Sequence, residues 1–128
     1  MITILDYGMG NLGSIVNMLK KIGSASKISS DINEIKASEK IILPGVGSFD
    51  AAIKRIDEMG LREVLTDLTL NRKIPLLGIC LGMQLLMESS EEGELPGLGL
   101  IGGRVLHFKN RISETYKIPH MGWNDVSI

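Results

Sequence analysis

Three times in this chain a short apolar run stops at a glycine-containing turn and gives way to apolar residues at helical spacing. Ile2 to Leu5 ends at Asp6-Tyr7-Gly8, Lys40 to Leu43 ends at Pro44-Gly45, and Ile74 to Ile79 ends in the stretch Gly78 to Gly82. Runs this brief and this rich in β-branched residues read as buried strands rather than helices. After the first turn, Asn11 is placed as an N-cap. Leu12, Ile15, Val16, Leu19 and Ile22 then recur on one face with Lys20 and Lys21 on the other, and Gly23 is the stop signal. After the second, Phe49, Ala52, Ile53, Ile56 and Met59 form one helical face. Leu61, Val64, Leu65 and Leu68 form another beyond a break at Gly60. After the third, helical spacing runs from Met83 to Met87.

A weaker strand is expected at Ser26 to Ile28, a polar loop from Ser29, and a further loop in SSEEGELPGLG. Strand-like pieces fall at Arg104 to Phe108 and Val126 to Ile128. Strands alternating with helices predict a single α/β domain over residues 1–128, a mostly parallel sheet with helices on both faces. In such sheets the ligand lies beyond the carboxyl ends of the strands, which is where all three turns fall.

The 128 residues suit one domain, one that buries about two thirds of its unfolded surface. Fourteen basic residues against fifteen acidic ones, with no block of like charge, argue against nucleic acid or another polyanion as partner. Small molecules or another protein are the expected partners. A single cysteine forms no internal disulfide, and the start MITILDYGMG has no basic leader. No run approaches the ~18 apolar residues of a membrane span. The expectation is a soluble, cytoplasmic protein.

That one cysteine, Cys80, sits in Gly78-Ile79-Cys80-Leu81-Gly82, the G-x-nucleophile-x-G form of a nucleophile elbow. A thiol at a helix N-terminus feels the positive end of the dipole, which favours the attacking thiolate. The amide of Leu81 is aimed where an oxyanion forms. The competing reading is a buried packing cysteine with coincidental glycines.

In Leu43-Pro44-Gly45-Val46-Gly47-Ser48-Phe49, two glycines one residue apart free a peptide to present its N–H to an anionic oxygen, a second oxyanion donor. The first turn, Gly8-Met9-Gly10-Asn11-Leu12-Gly13, fits G-x-G-x-x-G with Asp31 near the place of a ribose-binding acid, so a nucleotide site stands as the rival. A cysteine nucleophile in acyl transfer needs a histidine to move protons, a part open to His107 or His120, but the favoured reading puts His107 at an exposed strand position and His120 in a surface turn. One cysteine and two separated histidines give none of the usual metal-ligand spacings.

With DYGMGN at Asp6, LPGVGSF at Leu43, GICLGMQLL at Gly78, SSEEG at Ser89, GLGLIGG at Gly97 and PHMGWN at Pro119 in hand, the chain resembles the class I glutamine amidotransferases. Within them it is similar to the glutaminase-subunit type of imidazole glycerol phosphate synthases, in order from Ile2 to Val126. The resemblance implies a three-layer αβα, flavodoxin-like domain without metal or cofactor. In it Cys80 attacks the carboxamide of glutamine to give a thioester and ammonia. The ammonia passes to a separate (β/α)₈-barrel synthase subunit, the other half of a heterodimer in histidine biosynthesis.

The same resemblance places Gly45, Gly47 and Gln84 at the substrate. It places the amides of Leu81 and of the Val46-Gly47 turn, which rearranges to become competent, in the oxyanion hole. Asn11, Pro119, His120, Met121 and Trp123 fall on the partner-facing surface. The histidine and glutamate of the family's triad lie in an H-P-E motif downstream of PHMGWN. Neither His107 nor His120 matches that histidine. The expectation is therefore an N-terminal portion of one such domain, inactive by itself and with an apolar sheet edge exposed. Rival readings are a related glutaminase that supplies ammonia for sugar amidination in surface polysaccharide synthesis, a flavodoxin-like nucleotide module, and a non-catalytic docking fragment.

Overall fold

A computed structural model describes residues 1–109, 111–113 and 115–127. Four parallel strands, β1 (Ile2–Leu5), β2 (Ser26–Ser29), β3 (Lys40–Leu43) and β4 (Leu76–Gly78), form one sheet in the order β2-β1-β3-β4. The register pairs Ile2 with Ser26 and Lys40, and Leu43 with Gly78. Strand order reverses between β1 and β3, the kind of switch point that opens a crevice at the carboxyl ends of the strands.

Alternating side chains divide the core between the two faces. Ile4 and Ile42 pack on Leu19 of α1 (Leu12–Lys21), while Leu5, Ile41 and Leu43 join the larger cluster. That cluster takes Ile35 from α2 (Ile32–Lys36), Phe49, Ala52, Ile53 and Ile56 from α3 (Phe49–Glu58), Leu61, Val64 and Leu65 from α4 (Leu61–Thr66), and Leu81 and Leu85 from α5 (Leu81–Leu85). Helices on both faces make the expected three-layer α/β arrangement.

The local signals explain most element ends. Asn11 caps α1 by accepting from the Ser14 N–H at 3.2 Å, and Gly23 follows the helix at φ 75°. Gly60, at φ 66°, separates α3 from α4. The second helix then runs on from Asp67 to Asn71 as a wider turn, with the Arg72 N–H donating to the Asp67 carbonyl.

Four expectations need correction. The polar loop after Ser29 contains α2, a helix of five residues, too short to show a periodicity. Its start is nonetheless marked, because the Asp31 carboxylate accepts the Asn33 and Glu34 amides at 2.9 and 3.0 Å. Strand β4 is shorter than Ile74 to Ile79. Ile74 spends its N–H on the Leu68 carbonyl and Pro75 has none, so the ladder begins at Leu76.

The SSEEG loop opens with a strand, β5 (Ser89–Ser90), paired in parallel with β6 (Arg104–Val105). The fourth correction concerns the two strand-like pieces. The first stops at Val105 because the His107 N–H turns to the Glu91 carboxylate, at 2.7 Å, instead of a neighbouring strand. Val126 and Ser127 lie in no strand, and Ile128 falls outside the described residues.

Among the described residues no strand pairs with the outer side of β4, and Leu77 there is exposed. The apolar sheet edge is thus present as expected. No helix among the described residues is long and apolar enough to cross a membrane.

Candidate active site

The chain leaves β4 at Gly78 and enters α5 at Leu81 with a single sharply bent residue, Cys80, at φ 54° and ψ −116°. An L-residue held in such a region costs on the order of 1–3 kcal/mol and persists only where its surroundings impose it. Here they do. The Gly82 N–H donates to the Ile79 carbonyl at 2.9 Å and the Met83 N–H to the Cys80 carbonyl at 3.0 Å, while Leu81 and Leu85 anchor the helix in the core.

The turn is so tight that neither flanking position has room for a side chain. A Cβ at Gly78 would lie 2.6 Å from the Met83 Cα, and one at Gly82 would lie 1.9 Å from the Leu43 carbonyl oxygen. Cys80 itself is exposed. A packing cysteine would be buried and would not need strained backbone, so this residue has the geometry of a presented nucleophile.

The Pro44-to-Ser48 turn lies directly against this elbow. A Cβ at Gly45 would sit 2.8 Å from the Gly82 nitrogen and 3.0 Å from the Leu81 Cβ, so this glycine is the point of contact. Val46 and Gly47 follow it exposed, Gly47 at φ 102°, and Ser48 caps α3. The turn is tied from beneath by Tyr7, whose buried hydroxyl donates to the Pro44 carbonyl at 2.6 Å. Burial pushes the Tyr7 phenol up to about 12.

A folded-state value above the unfolded one means that the neutral phenol supports the fold fully below pH 10. That support fades as pH rises from 10 through 12. Tyr7→Phe is expected to cost about 1–2 kcal/mol at neutral pH, since it leaves the buried Pro44 carbonyl without its donor. It should also remove the alkaline limb of stability that wild type shows in urea titrations against pH. Equal alkaline slopes in the two proteins would refute this reading.

Gln84, on α5, is half-buried, and its Oε1 is fully buried with no hydrogen-bond partner among the described residues. Such an orphan acceptor is costly unless something else satisfies it. Gln84 borders a cavity of about 420 Å³ whose other walls include Met83, Glu92, His107, Phe108 and His120. Cys80, Gly45, Val46, Gly47 and Leu81 are not among the residues lining that cavity. The structure therefore brings Gly45 and Leu81 together at the elbow, and sets Gln84 one helical turn away in a separate wall.

His107 is half-buried and stands beyond β6, not on an exposed strand. Its Nδ1 accepts from the Lys109 N–H at 2.9 Å. His120 is exposed, with Nε2 3.2 Å from the Asn124 amide nitrogen. Glu92 was not singled out from the sequence. The SSEEG motif was the signal that contained it.

The remaining expected residues lie at the surface. Asn11 is exposed, although its side-chain oxygen is spent on capping α1. Pro119, His120, Met121 and Trp123 are exposed too, Trp123 completely. Gly10, the second glycine of the first turn, serves packing, since a Cβ there would lie 3.0 Å from the Pro44 Cβ. Asp31, the residue considered for a ribose, is occupied at the start of α2. Both features of the nucleotide reading have another use.

Comparison with known proteins points the same way as the elbow. The family model "Glutamine amidotransferase class-I" matches residues 3–127. The chain is 54% identical over 126 residues to "Imidazole glycerol phosphate synthase subunit HisH 2" of Methanococcus maripaludis, covering 98% of this chain and 61% of that protein. It is 51% identical over 128 residues to "Imidazole glycerol phosphate synthase subunit HisH" of Leptospira borgpetersenii, covering 99% and 63%. The chain thus spans about three fifths of the length of the curated relatives it matches.

A crystal structure of a glutamine amidotransferase superposes with a TM-score of 0.65 at 22% identity, covering 77% of this chain and 52% of that one, which bears on the fold alone. The fold, the strained cysteine between two obligatory glycines and the match along nearly the whole sequence converge, and the chain belongs to the class I glutamine amidotransferase family.

Proposed function

We propose that this chain presents the nucleophile of a glutaminase that supplies ammonia to imidazole glycerol phosphate synthase in histidine biosynthesis. The exposed Cys80 at φ 54°, with the Gly45 turn seated on the Leu81–Gly82 start of α5, carries this reading. The names of the relatives favour the histidine pathway over sugar amidination.

In the proposed reaction the Cys80 sulfur adds to the side-chain carboxamide carbon of glutamine. The charge on oxygen is met by the Leu81 amide and by an amide of the Val46-Gly47 turn. Collapse breaks the C–N bond, the nitrogen leaves as ammonia after taking a proton, and a thioester remains on sulfur. Water then cleaves the thioester to glutamate and restores the thiol.

Gln84, with its unsatisfied buried oxygen, and Gly45 and Gly47 are the proposed substrate contacts. Residues 1–128 contain no His-Pro-Glu triplet. Proton delivery to the leaving nitrogen is therefore assigned to groups other than His107 and His120, and turnover by these 128 residues alone is expected to be negligible. The partner is a (β/α)₈-barrel synthase subunit in a cytoplasmic heterodimer, met by Asn11, Pro119, His120, Met121 and Trp123. The exposed Met121 and Trp123 are the apolar anchors such a contact needs.

The test is chemical. A chloromethyl ketone analogue of glutamine should add to Cys80 with a rate that saturates in reagent and is slowed by free glutamine. Mass spectrometry of the adduct should place it on that residue, with no glutamate released from glutamine itself. Labelling that never saturates and ignores glutamine would reject the reading.

A further inference from the structure

The segment carrying Glu92 is held from a distance. Asp50, in the first turn of α3, accepts the Glu94 and Leu95 amides on Oδ1 at 3.0 Å each, and the Glu94 amide again on Oδ2 at 3.1 Å. These amides lie 44 and 45 residues further along the chain. Gly93 fits beneath them only because it lacks a side chain: a Cβ there would lie 2.3 Å from the Asp50 Oδ1 and 2.9 Å from the Phe49 Cδ1. The anchoring side is firm, since Phe49, Ala52, Ile53 and Ile56 bury α3 in the core. The held side continues into Glu92, a wall of the cavity that Gln84 also lines.

An acidic residue in a first helical turn commonly does no more than favour the dipole. Asp50 does more, because its acceptors are spent on remote backbone. The Leu95 and Glu94 amides hold its carboxyl below the usual carboxylate range, so the acceptor is ionised where the protein works.

We infer that Asp50 is a positioning residue for glutamine binding: its carboxylate fastens residues 93–95 to α3 and so fixes the Glu92 wall relative to the Pro44-to-Ser48 turn. This inference rests on the glutaminase reading and adds to it a residue outside the elbow, the oxyanion turns and Gln84. Ser48, two residues before Asp50, closes the turn that touches the elbow. One end of α3 therefore sets the spacing between the thiol side and the cavity side.

The experiment uses the 128-residue chain and the chloromethyl ketone analogue, with iodoacetamide as a reagent that needs no substrate site. Asp50→Ala is expected to raise the half-saturating concentration about tenfold, the scale of losing hydrogen bonds to a charged acceptor. The maximal labelling rate and the iodoacetamide rate should stay those of wild type. Asp50→Asn keeps one oxygen able to accept both amides and should fall between. Gly93→Ala displaces the same contact from the other side and should reproduce Asp50→Ala.

Unchanged half-saturation in Asp50→Ala and Gly93→Ala, with wild type saturable, overturns this inference and leaves the glutaminase reading standing. A raised half-saturation accompanied by a changed iodoacetamide rate in all three variants marks a general loss of fold and overturns it too. A wild type that does not saturate overturns the glutaminase reading, and this inference with it.

Discussion

Cys80→Gly is expected to make the protein more stable while abolishing its reaction with a glutamine analogue. Cysteine occupies φ 54° and ψ −116° there, a region glycine enters freely and other residues enter at a cost of about 1–3 kcal/mol. Against that relief stands the greater freedom of glycine in the unfolded chain, roughly 0.5–1 kcal/mol. The thiol is exposed, so little packing is lost with it. The net expectation is a gain on the order of 1 kcal/mol, read as a higher urea midpoint at unchanged slope. Cys80→Ala separates the two effects. It removes the sulfur but keeps the strain, and should lose all labelling with almost no change in midpoint. A destabilised glycine variant would show that the bend is not strained, and would remove the main geometric reason for treating Cys80 as a nucleophile.

Gly82→Ala should do the reverse and damage the fold severely. The added methyl would lie 1.9 Å from the Leu43 oxygen, 2.8 Å from the Leu43 carbonyl carbon and 3.1 Å from the Pro44 carbonyl carbon. All three are backbone atoms of β3 and its following turn, so no side chain can swing aside. Helix α5 must move, taking Leu81 and Leu85 out of their places in the core. Overpacking a core ordinarily costs about 1–3 kcal/mol, and this variant is expected at or above the top of that range. Saturable labelling should disappear as well. Gly99→Ala is the matched control: at φ 63° with nothing within 4 Å, it should lose only the roughly 1 kcal/mol of an alanine forced into left-handed backbone. Equal losses at the two positions would contradict the packing argument.

What could be read from the sequence was what neighbours in the chain encode. Strands β1 and β3 end where Asp6-Tyr7-Gly8 and Pro44-Gly45 say they should, α1 lies between its Asn11 and Gly23 signals, and the break at Gly60 is real. The elbow was legible because the tightness that demands glycine on both sides of Cys80 is a local matter.

Helix α2 was missed because one turn of helix has no period to detect, although the Asp31 and Glu34 pair marked its start. Strand β4 was overdrawn because an apolar run does not reveal that Ile74 has already given its amide to Leu68. The cavity that gathers Gln84, Glu92, His107 and His120, and the grip of Asp50 on Glu94 and Leu95, join residues far apart in sequence. No spacing rule reports them.

The three turns rest on one another through missing side chains: Gly10 on Pro44, and Gly45 on Leu81 and Gly82. They behave as shims, each thinned to a set gauge, with the sulfur riding on the last. Tolerance to substitution at the glycines of this column is consequently ruled by bulk. A single carbon added at any level is transmitted as displacement to the atom on top.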